Sequence, residues 1–410
     1  MTVGFDVKAV RADFPILTLE RDRRLVYLDS ASSSQKPTAV LEAMDSYYRT
    51  THANVHRGVY AIAEEATRLF EEARALTAGF IGASSPAEVI FTKNVTEAIN
   101  LVAHSWGDAN LGPGDAVLLT EMEHHANIVP WLMLAERRGI ELRYLPLTDT
   151  GELDLTDLDR LLDGVKLVGV SSMSNVLGTI NPVRRISDAA HDHGALVLAD
   201  AAQFVPHLPT DVSDLGVDFL GFTGHKMLGP TGIGGLWGRR ELLDAMPPFL
   251  GGGEMIRDVR LDGFLPNDVP WKFEAGTPPI AEAVGLGAAI RYLKGLGMES
   301  VREHEVSLTA YALRTLTERL GDDLVIHGPS EPAARGGVLS MVLGDIHAHD
   351  LSQVLDEYGV CVRAGHHCAK PLMRRLGVPA TARASLYVYN DESDVDALAE
   401  ALLHARKFFG

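Results

Sequence analysis

The sequence predicts an α/β protein, with a large unit built on a mostly parallel central sheet and a smaller α+β unit at its C-terminal end. Three observations predict it. From about residue 85 to 240, short β-branched runs alternate with amphipathic helical stretches, the pattern of parallel strands joined by helical crossovers. Beyond about residue 300 the order changes to a helix, strand-like runs and a final helix. At 410 residues the chain exceeds what one small core organises, so two units are expected.

The strand candidates are Val89–Thr92, Ala116–Leu119, Leu167–Val170, Ala195–Leu198 and Phe219–Phe222, unbroken apolar runs that read as buried on both faces. Ligand sites in such sheets lie beyond the carboxyl ends of strands, so the residues just after each run carry the functional reading. The Gly/Pro-rich stretch Pro247 to Pro270 interrupts the alternation and reads as loop. Ile280 to Gly295 reads as a long helix leading between units. The second unit then reads as a helix over Val301–Leu320, strands over Gly337–Leu343, Leu351–Tyr358 and Val360–Arg363, and an amphipathic helix over Glu392–Phe408. The expected division is residues 22–295 for the large unit, and 1–21 with 296–410 for the small one. No internal repeat or low-complexity segment interrupts it.

Apolar residues make up 46% of the chain and charged residues 22%, the profile of an ordinary globular protein. The net charge is −18 and the basic residues are scattered, so no stripe exists to track a phosphate backbone. Nucleic acid and anionic membrane are therefore not expected as partners. No apolar run approaches a membrane span, and Met1 to Arg11 lacks a charged segment followed by an apolar one, so a cytoplasmic location is expected. Two cysteines, Cys361 and Cys368, do not make a disulfide framework.

The chemistry gathers at strand ends. Lys226 follows the Phe219 run, where a lysine is costly unless it is paired or loses its charge, for instance as a Schiff base; a snorkelling loop lysine is the alternative. Asp200 ends the Ala195 run with Gln203 close behind. A strand-end carboxylate is how a pyridoxal ring keeps its nitrogen protonated, with Gln203 in reach of the ring oxygen, although an aspartate there also suits a helix N-cap. Thr96 opens a helix after the Val89 run, where free N–H groups suit a phosphate, or equally a plain capping box. Thr223 and His225 stand beside the lysine as further donors. His124, after another strand, offers a flat imidazole to lie over a planar ring and handle protons. The pairs His124-His125 and His366-His367, with His191 and His193, suggest metal ligands instead. Neighbouring residues point apart and no H-E-x-x-H or C-x-x-C spacing is present, so no metal is expected.

Taken together, these segments resemble the class V, fold-type I pyridoxal-phosphate enzymes, and within them the SufS-type (group II) cysteine desulfurases. The resemblance runs from Arg11-Ala-Asp-Phe-Pro15 and Tyr27-Leu-Asp-Ser30 through Met122 to Trp131, Ser174 to Gly178, Gly224-His-Lys226 and Phe273 to Thr277. It ends in Arg363 to Ala369 and Arg383-Ala-Ser385. It implies that Lys226 holds pyridoxal 5'-phosphate, that Asp200 and Gln203 hold the ring and that His124 stacks on it. Thr96 with its neighbour Val95, Thr223 and His225 would bind the phosphate, joined by Gly276 and Thr277 from a second subunit of a homodimer. Asn175 and Arg383 would hold the substrate carboxylate, a role that suits arginine's planar fork, while His56 and Arg363 line the entrance. Four positions depart from the commoner pattern of the family: Asn94-Val95 for Gly-Thr, Thr223 for serine, Ser32 for alanine, and Lys370 for methionine or glutamine.

The activity so implied converts L-cysteine to L-alanine. The freed Lys226 amine takes the Cα proton, and Cys368 takes the sulfur as a persulfide, helped toward thiolate by Arg363, His366 and His367. Cys361 lies in an apolar run and reads as a small core residue. Because the segment between Arg363 and Pro371 is short, delivery needs an acceptor that comes to it, of SufE or SufU type. His349 stands where members served by SufU-type acceptors carry a histidine, though it also reads as a solvated residue just before an N-cap, Asp350. The sulfur would supply iron-sulfur cluster assembly. Rival readings are a selenocysteine lyase, an aminotransferase-like enzyme and a non-catalytic protein that keeps the fold.

Overall fold

The computed structural model describes residues 5–410, so the first four residues of the 1–21 segment lie outside the described residues. In chain order the first strands are β1 (Val26–Tyr27), β2 (Val89–Thr92), β3 (Ala116–Thr120), β4 (Glu141–Leu145), β5 (Val165–Ser171), β6 (Leu196–Asp200), β7 (Phe219–Thr223) and β8 (Gly234–Gly238). Then come β9 (Ile256–Arg260), β10 (Gly263–Pro266), β11 (Leu324–His327), β12 (Val338–Leu343), β13 (Val360–Cys361), β14 (Arg363–Gly365) and β15 (Thr381–Ser385).

Strands β2 to β8 form one seven-stranded sheet in the order β2-β8-β7-β6-β5-β3-β4. It is parallel from β7 to β4, and β8 runs antiparallel between β7 and β2. All five strands expected from the sequence lie in it. Alternate residues feed cores on opposite faces. Val117, Leu119, Leu198 and Phe219 pack on one side, and Leu118, Val168, Val197 and Leu220 on the other, which is why these runs show no polar alternation.

Two strands of this sheet escaped the sequence reading. Edge strand β4, Glu-Leu-Arg-Tyr-Leu, keeps exposed and charged positions. Strand β8 is glycine-rich because it packs closely: a Cβ on Gly235 would fall 2.4 Å from the Phe222 ring. The stretch Pro247 to Pro270 is also not loop throughout. It contains the antiparallel hairpin β9–β10, whose charged, exposed residues and short length hide its period.

The C-terminal part carries an antiparallel sheet, β11-β12-β15-β14, and its own core of Leu308, Leu316, Leu339, Leu351 and Leu402. The expected strand Leu351–Tyr358 is instead part of a helix, Ala348–Glu357, with Ala348, Leu351, Val354 and Leu355 buried along one helical stripe. Its N-cap is His347 rather than Asp350. The long helices Ile280–Leu296 and Met298–Leu320 connect the two sheets. Strand β1 pairs in parallel with β13, and Asp29 bridges to Ser385, so the N-terminal segment is laid onto the C-terminal sheet. Among the described residues, no helix is long and apolar enough to cross a membrane.

Candidate active site

Residues that follow the carboxyl ends of β2, β3, β5 and β7 converge on a cavity of about 310 Å³. Lys226, three residues past the end of β7, lines it together with Thr223, His225, Val95, Thr96 and His124. Burial pushes the Lys226 amine down to about 8; Asp200 opposes that shift and Arg383 adds to it. His124 is held down to about 3 by burial and by Lys226, and its Nδ1 accepts the Ala126 N–H at 3.0 Å. His225 is likewise held down, to about 4. Both imidazoles are therefore neutral at physiological pH.

Asp200 and Gln203 are not part of the cavity wall but are buried at the end of β6, with Asp200 close enough to Lys226 for each to shift the other. Asp200 accepts Ala202 N–H at 3.1 Å in a local turn, and no helix starts there, so it is not an N-cap. At the other strand end the helix Val95–Val102 is capped by Asn94, whose side chain accepts Glu97 N–H at 3.1 Å. That gives the unusual Asn94 a structural task and leaves the Thr96 hydroxyl out of the cap.

The opposite wall is built by the C-terminal sheet. Arg383, on β15, is 2% exposed and lines the cavity with Asn175 and Arg363. Its Nη1 donates to the Asn175 carbonyl at 2.9 Å and its Nη2 to Ser32 Oγ at 2.6 Å. Asp29 pairs with both Arg383 and Arg363, and Ser32 Oγ donates to Asp29 at 2.7 Å. Sequence reasoning quoted Asp29 only within the motif Tyr27-Leu-Asp-Ser30, without a role, and noted Ser32 only as a departure. Their strand-like neighbours carry no polar pattern, and only the pairing of a distant arginine reveals them.

Cys368 lines the same cavity and is exposed. It and His367 both adopt left-handed backbone, with φ of 55° and 50°. Of the positive or donor character expected of His367, the positive charge is lacking. Burial holds it down to about 3, and its Nε2 is 2.8 Å from Thr381 Oγ1. Cys368 shares the cavity with the cationic side chains Lys226, Arg363 and Arg383. Cys361, on β13, is half-buried rather than a core residue, and burial raises its thiol pKa.

Four expected residues lie elsewhere. His56 bonds Glu71 at 2.9 Å and faces Glu254 outside this cavity. Gly276, with φ of 82°, and Thr277 line a separate cavity beside Phe91 and Phe273. His349 is exposed and stacks on His347, with ring centroids 5.5 Å apart. Among the described residues, no three His, Cys, Asp or Glu side chains cluster so as to hold a metal ion.

The residues present fit pyridoxal phosphate. Thr223 Oγ1 and Gln203 Oε1 are buried without a protein partner, a costly arrangement that a polar ligand relieves. A depressed lysine and a buried carboxylate stand next to each other, the pairing that an imine-forming cofactor with a protonated ring nitrogen requires.

A family model described as aminotransferase class-V matches residues 26–398. A probable cysteine desulfurase of Streptomyces coelicolor is 53% identical, the match covering 99% of this chain and 98% of that protein. A cysteine desulfurase of Haloferax volcanii is 49% identical, with 98% of each chain covered. Among solved structures, the apo form of a cysteine desulfurase from Thermococcus onnurineus superposes with a TM-score of 0.93 at 40% identity, covering 98% of each chain. A cysteine desulfurase from Escherichia coli gives 0.90 at 38% identity, covering 98% of this chain and 99% of that one.

Proposed function

The chain belongs to the class-V aminotransferase family and is a pyridoxal-phosphate-dependent cysteine desulfurase, and from that premise we propose that it is of the SufS type, storing sulfur from L-cysteine as a persulfide on Cys368. The observation that carries the reading is that one cavity is lined both by Lys226 and by an exposed cysteine.

Lys226 would hold the cofactor, Asp200 and Gln203 its ring, and Val95, Thr96, Thr223 and His225 its phosphate. His124 would lie over the ring. When bound, pyridoxal phosphate supplies an electron sink that makes the substrate Cα proton acidic. At about 8, the freed Lys226 amine is sufficiently unprotonated near neutrality to accept that proton. Arg383 has an Nε–H that is buried and unpartnered, a donor available to a substrate carboxylate, with Asn175 beside it. Cys368 Sγ attacks the substrate sulfur. The new sulfur–sulfur bond forms as the carbon–sulfur bond breaks, and the electron pair left on carbon is protonated to give alanine. Lys226, Arg363 and Arg383 line the cavity in which this attack takes place.

Gly276 and Thr277 lie outside their own chain's cavity, which supports a homodimer in which they reach a second subunit's phosphate. We infer the two units 22–295 and 1–21 with 296–410, the substrate lying between them. The acceptor is a SufE- or SufU-type protein, for which the exposed His349 is the candidate contact, and the sulfur serves iron-sulfur cluster assembly in the cytoplasm. The test is alanine release and protein mass after exposure to L-cysteine, with and without each acceptor. Alanine without a sulfur adduct on Cys368 overturns the persulfide reading. Faster turnover of selenocysteine than of cysteine would favour a selenocysteine lyase. For His349→Ala, basal alanine release is expected to hold while stimulation by a SufU-type protein falls several-fold; unchanged stimulation removes His349 from the contact.

A further inference from the structure

We propose that Glu123 is a positioning residue of the cofactor site: it ties the turn that carries His124 to the strand end paired with Asp200, and adds its own negative charge to that of Asp200. The inference rests on the cofactor placement between His124 and Asp200 proposed above.

Glu123 is 0% exposed, and its carboxylate accepts four hydrogen bonds. Oε1 takes Ser171 N–H at 2.8 Å and Thr120 Oγ1–H at 2.7 Å; Oε2 takes Asn127 Nδ2–H and Ser171 Oγ–H, both at 2.8 Å. Two of these groups have no choice but to donate. Ser171 offers a backbone N–H. Asn127 points its amide nitrogen at Glu123 because its oxygen accepts Trp131 Nε1–H at 3.0 Å. Thr120 Oγ1 also accepts Met122 N–H at 3.3 Å, which leaves its proton free for Glu123. Only the two hydroxyls can turn to accept, so the set of donors favours the charged carboxylate.

Even with these donors, burial holds Glu123 up at about 7 and Asp200 adds to the shift, so its full charge is present above neutral pH. Among the described residues no cation lies within ion-pair distance of it. The titratable group whose charge bears on Glu123 is Asp200 from β6; Lys226 lies beside Asp200, and His124 follows Glu123 in the chain. Two buried carboxylates against one lysine, which gives up its ammonium charge on forming an imine, favour protonation of the bound cofactor at its ring nitrogen and at the imine nitrogen, whose state the visible absorption reports. The connection is also mechanical. Ser171 at the end of β5 is the register partner of Asp200 on β6, and Glu123 and Asn127 bracket His124.

The test is a pH titration of the visible absorption of the lysine-bound cofactor in the holoenzyme. Glu123→Gln keeps the shape and removes the charge, so the midpoint should fall by on the order of one pH unit, because the cationic form loses a stabilising neighbour. Cofactor affinity measured by fluorescence should weaken about tenfold, the same free energy read another way. Ser171→Ala removes only one of the two hydroxyls that bond Glu123. It should lower the midpoint in the same direction by less, and it keeps the test alive should Glu123→Gln fail to fold. Unchanged midpoints in the folded variants overturn the proposal, whatever happens to thermal stability. Asp200→Asn separates the two levels: if it too leaves the spectrum unchanged, the cofactor placement is wrong, whereas a shift with Asp200→Asn alone rejects only the part assigned to Glu123.

Discussion

The two sides of the active-site cavity are built on opposite principles. On the side of the large sheet, Lys226, Thr223, Asp200 and Glu123 sit at or just past strand ends, and their properties are set by burial: a depressed lysine, neutral histidines and carboxylates held by fixed donors. On the other side the thiol of Cys368 is exposed, on a segment in which two consecutive non-glycine residues take left-handed backbone. Such conformations cost roughly 1–3 kcal/mol each and persist only where surrounding bonds enforce them. Here Asn175 Nδ2 donates to the His367 carbonyl at 2.8 Å and His125 N–H to the Cys368 carbonyl at 2.7 Å. A group that works on a cofactor is served by burial. A group that must pass its product to another protein has to stay at the surface, and the backbone is bent to hold it there.

The contrast is broken most directly at Lys226. Lys226→Ala should abolish turnover and the visible absorption of the bound cofactor, a loss of several orders of magnitude in alanine release; normal desulfurase activity would remove the lysine from the chemistry. Cys368→Ala should separate the two sides. It should fold, bind the cofactor and perturb its spectrum when cysteine is added, because Lys226 and Arg383 remain, yet release almost no alanine and gain no sulfur by mass. A spectrum that no longer responds to cysteine would mean that the two sides are not independent.

A smaller effect sharpens the same comparison through pH. His124, His225 and His367 have folded pKa values of about 3, 4 and 3, below the unfolded value of about 6.5. Between those limits the unfolded chain binds more protons than the folded one. Their contribution to stability is therefore full above pH 6.5 and is lost as pH falls. Glu123 and Asp200, with raised values, oppose this trend in part. The melting temperature of the apoprotein should fall between pH 7 and 4, and His367→Gln should flatten that slope; an identical slope would mean that His367 is not held neutral.

What the sequence made legible follows the same division. The strand ends that carry Asp200, Thr223 and Lys226 were readable because doubly buried parallel strands leave unbroken apolar runs, and the residue after such a run stands out. Glu123 was invisible as a functional group because a glutamate beside two histidines in a turn looks solvated, and only the burial of its four donors shows otherwise. The C-terminal wall was harder to read. Strand β15, Thr-Ala-Arg-Ala-Ser, is buried throughout yet reads as polar, since its arginine is paid for by Asp29, some 350 residues away in the chain. The helix over Ala348–Glu357 was read as a strand because its apolar residues also cluster within a short window, where period alone does not decide. Motif resemblance supplied Cys368, Arg363 and Arg383, where local pattern had little to offer.

The smallest expected effect tests the division at the second thiol. Cys361 lies two residues before Arg363, on β13, and its carbonyl accepts Leu28 N–H at 3.0 Å, so its backbone is part of the pairing between β1 and β13. The side chain is a different matter. It is half-buried, and burial together with Asp356 and Asp29 raises its pKa, which keeps it a thiol and a poor nucleophile at neutral pH. Cys361→Ala leaves the backbone bonds in place and removes one sulfur from a partly exposed position. Its cost in stability should be about 1 kcal/mol or less, well under the roughly 2–5 kcal/mol for truncating a large buried aliphatic side chain. Alanine release and the sulfur adduct formed with cysteine should both match the parent enzyme. An adduct that disappears in Cys361→Ala while Cys368→Ala retains it would transfer the nucleophile to β13, and exposure would then not be what marks the reactive thiol in this fold.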